Sequence, residues 1–516
     1  LHLCDRRQRQ MCIRDRKKAD NTAEIGFEQQ IWSAADKLRG NIDASEYKNV
    51  VLGLIFLKYI SDKFDQRYQE LVEEGEGFEE DRDEYLAENI FFVPESARWA
   101  TVAAAAHTPE IGKVIDEAMR QIEAENDKLK NILPKNFARQ ELDKRRLGEV
   151  VDLFTNVQMA EKGDTRDILG RTYEYCLAKF AEAEGKNAGE FYTPACIVKT
   201  LVEIIEPYHG RVYDPCCGSG GMFVQSAEFV KRHQGKIDDL SVYGQESNPT
   251  TWKMATMNLA IRGIDANLGK QNADTFFNDL HRTEKFDFIL ANPPFNLKDW
   301  GGDKLKDDPR WEYGVPPEGN ANFAWVQHMV HHLNRSGRMG MVLANGSLSS
   351  QTNNEGGIRA KLIESDLVEG VVAMPGQLFY STQIPVCLWI ITKKKTQLGK
   401  TLFIDARNMG TMVSRKLREF TDEDIAKVAD AFDAFREGKL EEEKGFSAIA
   451  SIEDIAKQDY IITPGRYVGI ADVEEDDEPF DEKMARLTSE ISKCFEESNR
   501  LQEQIKKNLE AIGHGL

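Results

Sequence analysis

Asn292-Pro293-Pro294-Phe295 directly follows the apolar run Phe286–Ala291. Two consecutive prolines fix φ and remove two backbone donors, so the strand stops there with rigid carbonyls facing outward. The Asn292 side-chain oxygen and the Pro293 carbonyl can then both accept from one exocyclic amine. Held that way, the amine keeps its nitrogen lone pair free to attack an electrophilic carbon. Phe295 offers a face on which an extruded base can stack. For the four residues alone, a strand ending in a proline turn with a buried Phe is the competing reading.

Asp214-Pro215-Cys216-Cys217-Gly218-Ser219-Gly220-Gly221 closes the run Arg211–Asp214. Glycines let the backbone turn sharply and approach a ligand, and a helix expected from about Met222 turns its free N–H groups toward it. The segment lacks the G-K-[ST] of a phosphate loop and a clean G-x-G-x-x-G. A second run, Ser241–Gln245, leads into Glu246, and an acidic residue at such a strand end accepts from ribose hydroxyls. After a third expected strand, Asp274 can accept from an adenine amino group and Phe276 can line the ring. Read by itself, Asp274 is equally a turn or cap residue.

In chain order, Glu190-Phe191-Tyr192-Thr193-Pro194, the Asp214–Gly221 turn, Tyr243-Gly244-Gln245-Glu246-Ser247-Asn248 and Asn292–Phe295 resemble the motifs of amino-methyltransferases of the gamma arrangement. The stretches around Asp308-Pro309-Arg310-Trp311, Asn320–Trp325, Val342–Ser347 and Pro375–Phe379 are similar to the modification subunits of type I restriction-modification systems. The resemblance spans about residues 22–470. It implies site-specific transfer of a methyl group from S-adenosylmethionine to N6 of adenine in duplex DNA. Asn292, Pro293, Pro294 and Phe295 would form the catalytic corner. Glu190, Phe191, Tyr192, Thr193, Pro194, Asp214, Gly218, Ser219, Gly220, Gly221, Glu246 and Asp274 would hold the cofactor, the Glu190–Pro194 segment at its methionine part. The partners implied are DNA, a separate specificity subunit, a second methyltransferase subunit and a restriction (helicase-nuclease) subunit.

These residues need strand ends to carry them. Arg211–Asp214, Ser241–Gln245, Phe286–Leu290, Met339–Leu343, Val368–Ala373 and Val386–Thr392 alternate with helical segments. That alternation predicts an α/β domain, doubly wound and Rossmann-like, on a mainly parallel sheet over residues 151–400, with ligands beyond the C-terminal strand ends. Residues 1–21 read as a disordered or non-native leader, rich in arginine at its start. Residues 22–150 read as a helical N-terminal domain, with helices over about Ser45–Glu74 and Ile111–Ile132, the latter ended by Pro134. Residues 401–480 read as a peripheral region. Residues 481–516 read as a helix for subunit docking, with Met484, Leu487, Ile491, Cys494, Leu501, Ile505 and Ile512 at mostly 3-4 spacing.

The formal charge of −20 is unlike a chain that grips DNA unaided. Either the chain has no nucleic-acid business or a partner supplies most of the DNA affinity, since a local basic groove can sit on an acidic protein. The longest apolar run, Val50–Leu57, is far short of the roughly 20 residues that span a bilayer. Eight scattered cysteines without a C-x-x-C read as reduced thiols in a cytoplasm. Cys216 and Cys217 sit in the glycine turn and read as packing residues. His328, His331 and His332 lack an acidic or Cys neighbour at ligand spacing, so they read as exposed or core histidines and no metal is expected. The loop over residues 297–320 reads as a lid, with Phe379 and Tyr380 as the opposite wall of a base pocket.

Three rival functions fit the same motifs. One is a stand-alone N6-adenine methyltransferase. Another is an enzyme acting on RNA or on protein glutamine. The third is a non-catalytic scaffold that keeps only the cofactor pocket.

Overall fold

The computed structural model describes residues 44–156, 165–184, 192–379, 383–415, 417–470 and 480–511, together with Trp32 and Asp36. The leader, Glu190, Phe191, Tyr380 and Ile512 lie outside the described residues. The chain divides into two compact units, residues 1–469 and 470–516.

The sheet of the first unit has nine strands. They are β1 (Gly210–Asp214), β2 (Leu240–Gly244), β3 (Ala266–Asn267), β4 (Phe286–Ala291), β5 (Leu333–Ala344), β6 (Val368–Ala373), β7 (Val386–Thr392), β8 (Lys400–Asp405) and β9 (Ser447–Ser451). Their order across the sheet is β9-β8-β6-β7-β5-β4-β1-β2-β3. Five neighbouring pairs run parallel: β1 with β2, β1 with β4, β2 with β3, β4 with β5, and β6 with β8. β7 is reversed between β5 and β6, and β9 is reversed on the outer edge. The expected parallel sheet is thus mixed. Among the described residues the connection from β6 to β7 carries no helix, and parallel neighbours are usually joined by a helical crossover. β6 and β7 are buried along their whole length, as strands covered on both faces must be. β8 and β9 fall in residues 401–480 and extend the sheet at the edge away from β1 and β2. The third strand is only two residues long.

Because β1, β2, β4, β5, β6 and β8 all point the same way, their C-terminal ends share one edge. Asp214 pairs with Gly244, and Tyr213 with Ile289, which brings the glycine turn, Glu246 and Asn292 to that edge. α5 (Ala195–Ile205), α6 (Gly221–Arg232), α7 (Pro249–Ile261) and α8 (Asn322–His332) cover the sheet.

In the N-terminal region, α1 (Ala44–Glu74) buries Val50 through Ile60 apart from Gly53 and Lys58 as apolar core. It packs on α4 (Thr165–Glu184) and on α7, so the helical region abuts the helices behind the glycine turn. α2 (Ile111–Glu125) ends earlier than Pro134 would have required. Asn126 stops it: its amide donates to Ile122 O at 2.7 Å and to Phe92 O at 2.8 Å, and its oxygen accepts from Phe92 N at 3.0 Å. α3 (Lys144–Asn156) completes the region.

The second unit carries α11 (Phe480–Ala511), whose Met484, Leu487, Ile491, Phe495, Leu501 and Ile505 are all exposed. α9 (Glu355–Glu364) and α10 (Asp422–Arg436) belong to the first unit. Among the described residues no helix is long and apolar enough to cross a membrane.

Candidate active site

The glycine turn is built from two left-handed positions. Gly218 has φ 54° and Gly220 φ 83°, and a Cβ on Gly220 would stand 3.3 Å from Leu259. Glycine adopts such φ at the least steric cost. The turn is pinned from both sides. Asp214 Oδ1 accepts from Cys216 N at 3.0 Å, and Cys217 N donates to Gln245 O at 2.9 Å. Thr275 Oγ1 donates to Pro215 O at 2.6 Å. In front of Gly221 a Cβ would meet nothing within 4 Å, so the N-terminus of α6 opens onto free space.

Glu246 is 7% exposed and holds this turn by its carboxylate: Oε2 accepts from Gly218 N at 3.1 Å and Oε1 from Asn248 N at 2.8 Å. Burial raises its pKa above the usual carboxylate range, with those amides pulling the other way. Asp214, 2% exposed, is pushed up to about 7, mostly by burial. A buried carboxyl pair with raised pKa values beyond the ends of adjacent strands is a candidate functional site.

Gln245, which the sequence reading left without a role, organises the next loop. Its amide donates to Ala273 O and Asn278 O, and its oxygen accepts from Leu280 N. Asp274 sits on that loop, exposed at the same edge, and Oδ1 accepts from Phe276 N at 2.8 Å and Phe277 N at 3.2 Å. It caps its own turn, the second of the two roles its sequence allowed. Phe276 does not line the edge. It is buried against Trp300 and Trp325, because the apolar ring finds an aromatic cluster behind the loop.

Asn292 emerges from β4 with Pro293 buried and Pro294 exposed behind it. Its Nδ2 donates to Thr193 Oγ1 at 2.9 Å. Its Oδ1 is buried and has no partner. A buried acceptor without a donor costs about 1–3 kcal/mol. Such an atom at this position is an open socket for a donor. Phe295 is half-buried and meets Phe379 edge-on at 5.7 Å, so the two rings form a corner rather than a closed stack. After Phe295, Asn296 and Asn322 exchange two hydrogen bonds, of 3.1 and 2.9 Å, which tie the corner to the start of α8. Sequence inspection missed this pair because the two residues lie 26 apart.

Tyr192, Thr193, Ser219 and Gly221 line one recess, with Pro194 capping α5 beside it. The structure thus gathers Tyr192, Thr193, Pro194, Asp214, Gly218, Ser219, Gly220, Gly221, Glu246 and Asn292–Phe295 along one edge, with Asp274 on the adjoining loop.

The loop over residues 297–320 is anchored rather than loose. Trp300 and Trp311 are buried, and Arg310, 8% exposed, donates to Thr275 O, Phe276 O, Asp308 and His328 Nδ1. Arg310 so locks the loop onto the turn that carries Asp274. The histidines also differ from their sequence reading, since the fold brings Asp279 to His328 and His332. Burial, then the charges of His332 and Arg310, keeps His328 well below the usual histidine range and neutral. With Nδ1 accepting from Arg310 at 3.0 Å, its Nε2 carries the proton and donates to Tyr213 Oη at 3.2 Å. His332 turns Nδ1 to Glu284 O and Nε2 to Asp279 Oδ2. Both rings are committed, and a guanidinium sits beside them. The cluster is a buried hydrogen-bond network supporting β1 and α8.

Comparison with known proteins covers almost the whole chain. Residues 164–476 match the N-6 DNA Methylase family, and residues 27–154 match the HsdM N-terminal domain. The chain is 48% identical to the methylase subunit of the type I restriction enzyme HindI from Haemophilus influenzae, over 82% of this chain and 100% of that one. It is 39% identical to the methylase subunit of the type I restriction enzyme MjaIX from Methanocaldococcus jannaschii, over 94% and 91% of the two chains. The crystal structure of a type I restriction-modification system methyltransferase subunit from Streptococcus thermophilus superposes with a TM-score of 0.74 at 26% identity, covering 86% of this chain and 99% of that one.

Proposed function

Since the chain belongs to the N-6 DNA methylase family, as a type I restriction enzyme methylase subunit, we propose that its adenine chemistry is carried by the Asn292–Phe295 corner and its cofactor by the glycine-turn edge. The chain is an adenine-specific DNA methyltransferase subunit that uses S-adenosylmethionine. When bound, that cofactor supplies a methyl carbon activated by a positively charged sulfur.

The residues present suit it. Glu246 offers a buried carboxylate to the ribose hydroxyls, and Gly221 leaves room for close approach of the ligand. Asp274, with one carboxylate oxygen capping its own turn, offers the other to the adenine amino group of the cofactor. Tyr192, Thr193 and Ser219, which line one recess, and Pro194 next to them in the chain are assigned to the methionine end, and the family resemblance assigns Glu190 and Phe191 to it as well.

At the target base, Asn292 Oδ1 takes one N–H of the exocyclic amine and the Pro293 carbonyl takes the other. Both protons are then directed away from the lone pair, which stays available for attack. Phe295 stacks on the extruded adenine and Phe379 closes the corner from its edge. Positioning supplies most of the rate, since the leaving group is already good.

The observation that carries this reading is the buried, unpartnered Oδ1 of Asn292. Labelled methyl donor offered to the chain in complex with its specificity subunit, with duplex DNA, RNA and protein as acceptors, tests it. N6-methyladenine should appear in DNA alone and vanish with Asn292→Ala while cofactor binding persists. Label in RNA or protein, or an active Asn292→Ala protein, would refute it.

The acidic chain fits work in a complex in which a specificity subunit supplies most of the DNA affinity. The exposed apolar stripe of α11, together with the helical region over residues 22–150, is the docking element for it. A second methyltransferase subunit and a restriction subunit complete the assembly. A cytoplasmic site of action is in keeping with a DNA substrate.

A further inference from the structure

Asn258 lies on α7, outside every motif that marks the site, and is 3% exposed. Its Nδ2 donates to Ser219 O, the carbonyl inside the glycine turn, at 2.7 Å. Its Oδ1 has no partner. The amide is planar, so anchoring Nδ2 fixes where Oδ1 points. Asn258 lines the same recess as Thr193, Ser219 and Gly221.

The rest of that recess has a matching asymmetry. The first residues of α5 and α6, Ala195 and Gly221, both border it. Two helix N-termini bring free N–H groups and positive dipole ends, which favour a carboxylate. Glu174, paired with Arg262 at 2.9 Å, borders the same recess. The recess so combines free N–H groups for a carboxylate with acceptors for an ammonium, the pattern of an α-amino acid zwitterion.

We propose that Asn258 Oδ1 accepts a hydrogen bond from the α-ammonium of the cofactor's methionine end, making Asn258 a cofactor-binding residue as well as a brace for the turn. The inference rests on the cofactor reading above. A buried orphan acceptor on a residue that lines this recess needs a donor, and the ammonium is the only strong donor that end of the ligand carries.

Calorimetry on the full chain decides it with three ligands: S-adenosylhomocysteine, its decarboxylated amine, and 5′-methylthioadenosine, which lacks the amino-acid end. Asn258→Ala should weaken the first two by about tenfold or more, the magnitude of a hydrogen bond to a charged group. Methylthioadenosine should shift by less than about threefold, because the turn's brace is all it feels. Equal loss for all three ligands would make Asn258 a structural brace and overturn the proposal, as would no loss for any. A wild-type chain that binds none of them would instead bring down the cofactor reading itself.

Discussion

The Asn292 side-chain amide donates to Thr193 Oγ1 at 2.9 Å, across 99 residues of sequence. This single bond joins the corner proposed to hold the target amine to the segment proposed to border the cofactor. It also decides which end of the Asn292 amide is free. With Nδ2 engaged, Oδ1 is the atom left for the target amine in the proposed reading, and an acceptor is what an amine requires.

Thr193→Val removes that anchor while keeping size and shape. Asn292 then loses its orientation, and kcat should fall about tenfold, the cost of one lost hydrogen bond to a positioned group. Thr193→Ser should restore it. Single-turnover methylation measures both. Adding Thr193→Val to Asn292→Ala should cost nothing further, because the two act as one unit.

Glu246→Gln tests the strand-end carboxylate. Gln can accept at only one of its two terminal atoms, so either Gly218 N or Asn248 N loses its acceptor, and the ribose loses a charged partner. Cofactor affinity, read by calorimetry on the chain alone, should weaken by about ten- to a hundredfold. Unchanged affinity would remove Glu246 from the site.

Asp214 gives a pH signature. Burial comes first in raising its pKa to about 7, the Cys216 amide opposes the shift, and the charge of Glu246 adds to it. A carboxyl raised in the folded state stabilises fully below its unfolded pKa, and that contribution is lost as pH rises through the folded value. The wild-type chain should therefore lose about 2 kcal/mol between pH 5.5 and 8.5 from this group. Asp214→Asn keeps the acceptor for Cys216 N but cannot ionise. Urea midpoints across that range should show the variant gaining on the wild type as pH rises.

Arg310→Met should destabilise the first unit by about 3 kcal/mol, since it strands Asp308 and leaves two carbonyls of the Asp274 turn without donors. Removing Asp308 as well should recover part of the loss. Denaturant unfolding of the two variants checks the coupling.

Ile491→Glu with Ile505→Glu places charge on the exposed stripe of α11. Assembly with partner subunits should be lost in size-exclusion chromatography. Cofactor affinity and the main unfolding transition should stay as they are, because both residues lie in the second unit.

The strands and the motifs at their ends were legible in the sequence because the information is local. Val368–Ala373 and Val386–Thr392 read as strands from their valine- and isoleucine-rich runs, and the structure gives them those bounds. Asn292-Pro293-Pro294 announces its chemistry because proline restricts the backbone wherever it occurs. What stayed hidden depends on pairing between distant segments. The reversal of β7, the end of α2 at Asn126 and the withdrawal of Phe276 into an aromatic cluster each follow from a neighbour that spacing does not reveal.

The sequence by itself determined the reaction class and the residue types at its centre, since the hydrogen-bonding capacity of Asn, Glu and the glycine turn is intrinsic to them. Only the tertiary structure decided how those groups are used. Asp274 and Asn292 are both acceptors on paper. One spends a carboxylate oxygen on its own turn, while the other keeps a buried oxygen vacant. Asn258 and Arg310 gain their importance from burial alone, because a polar atom removed from water must be satisfied by what the fold, or a ligand, brings to it.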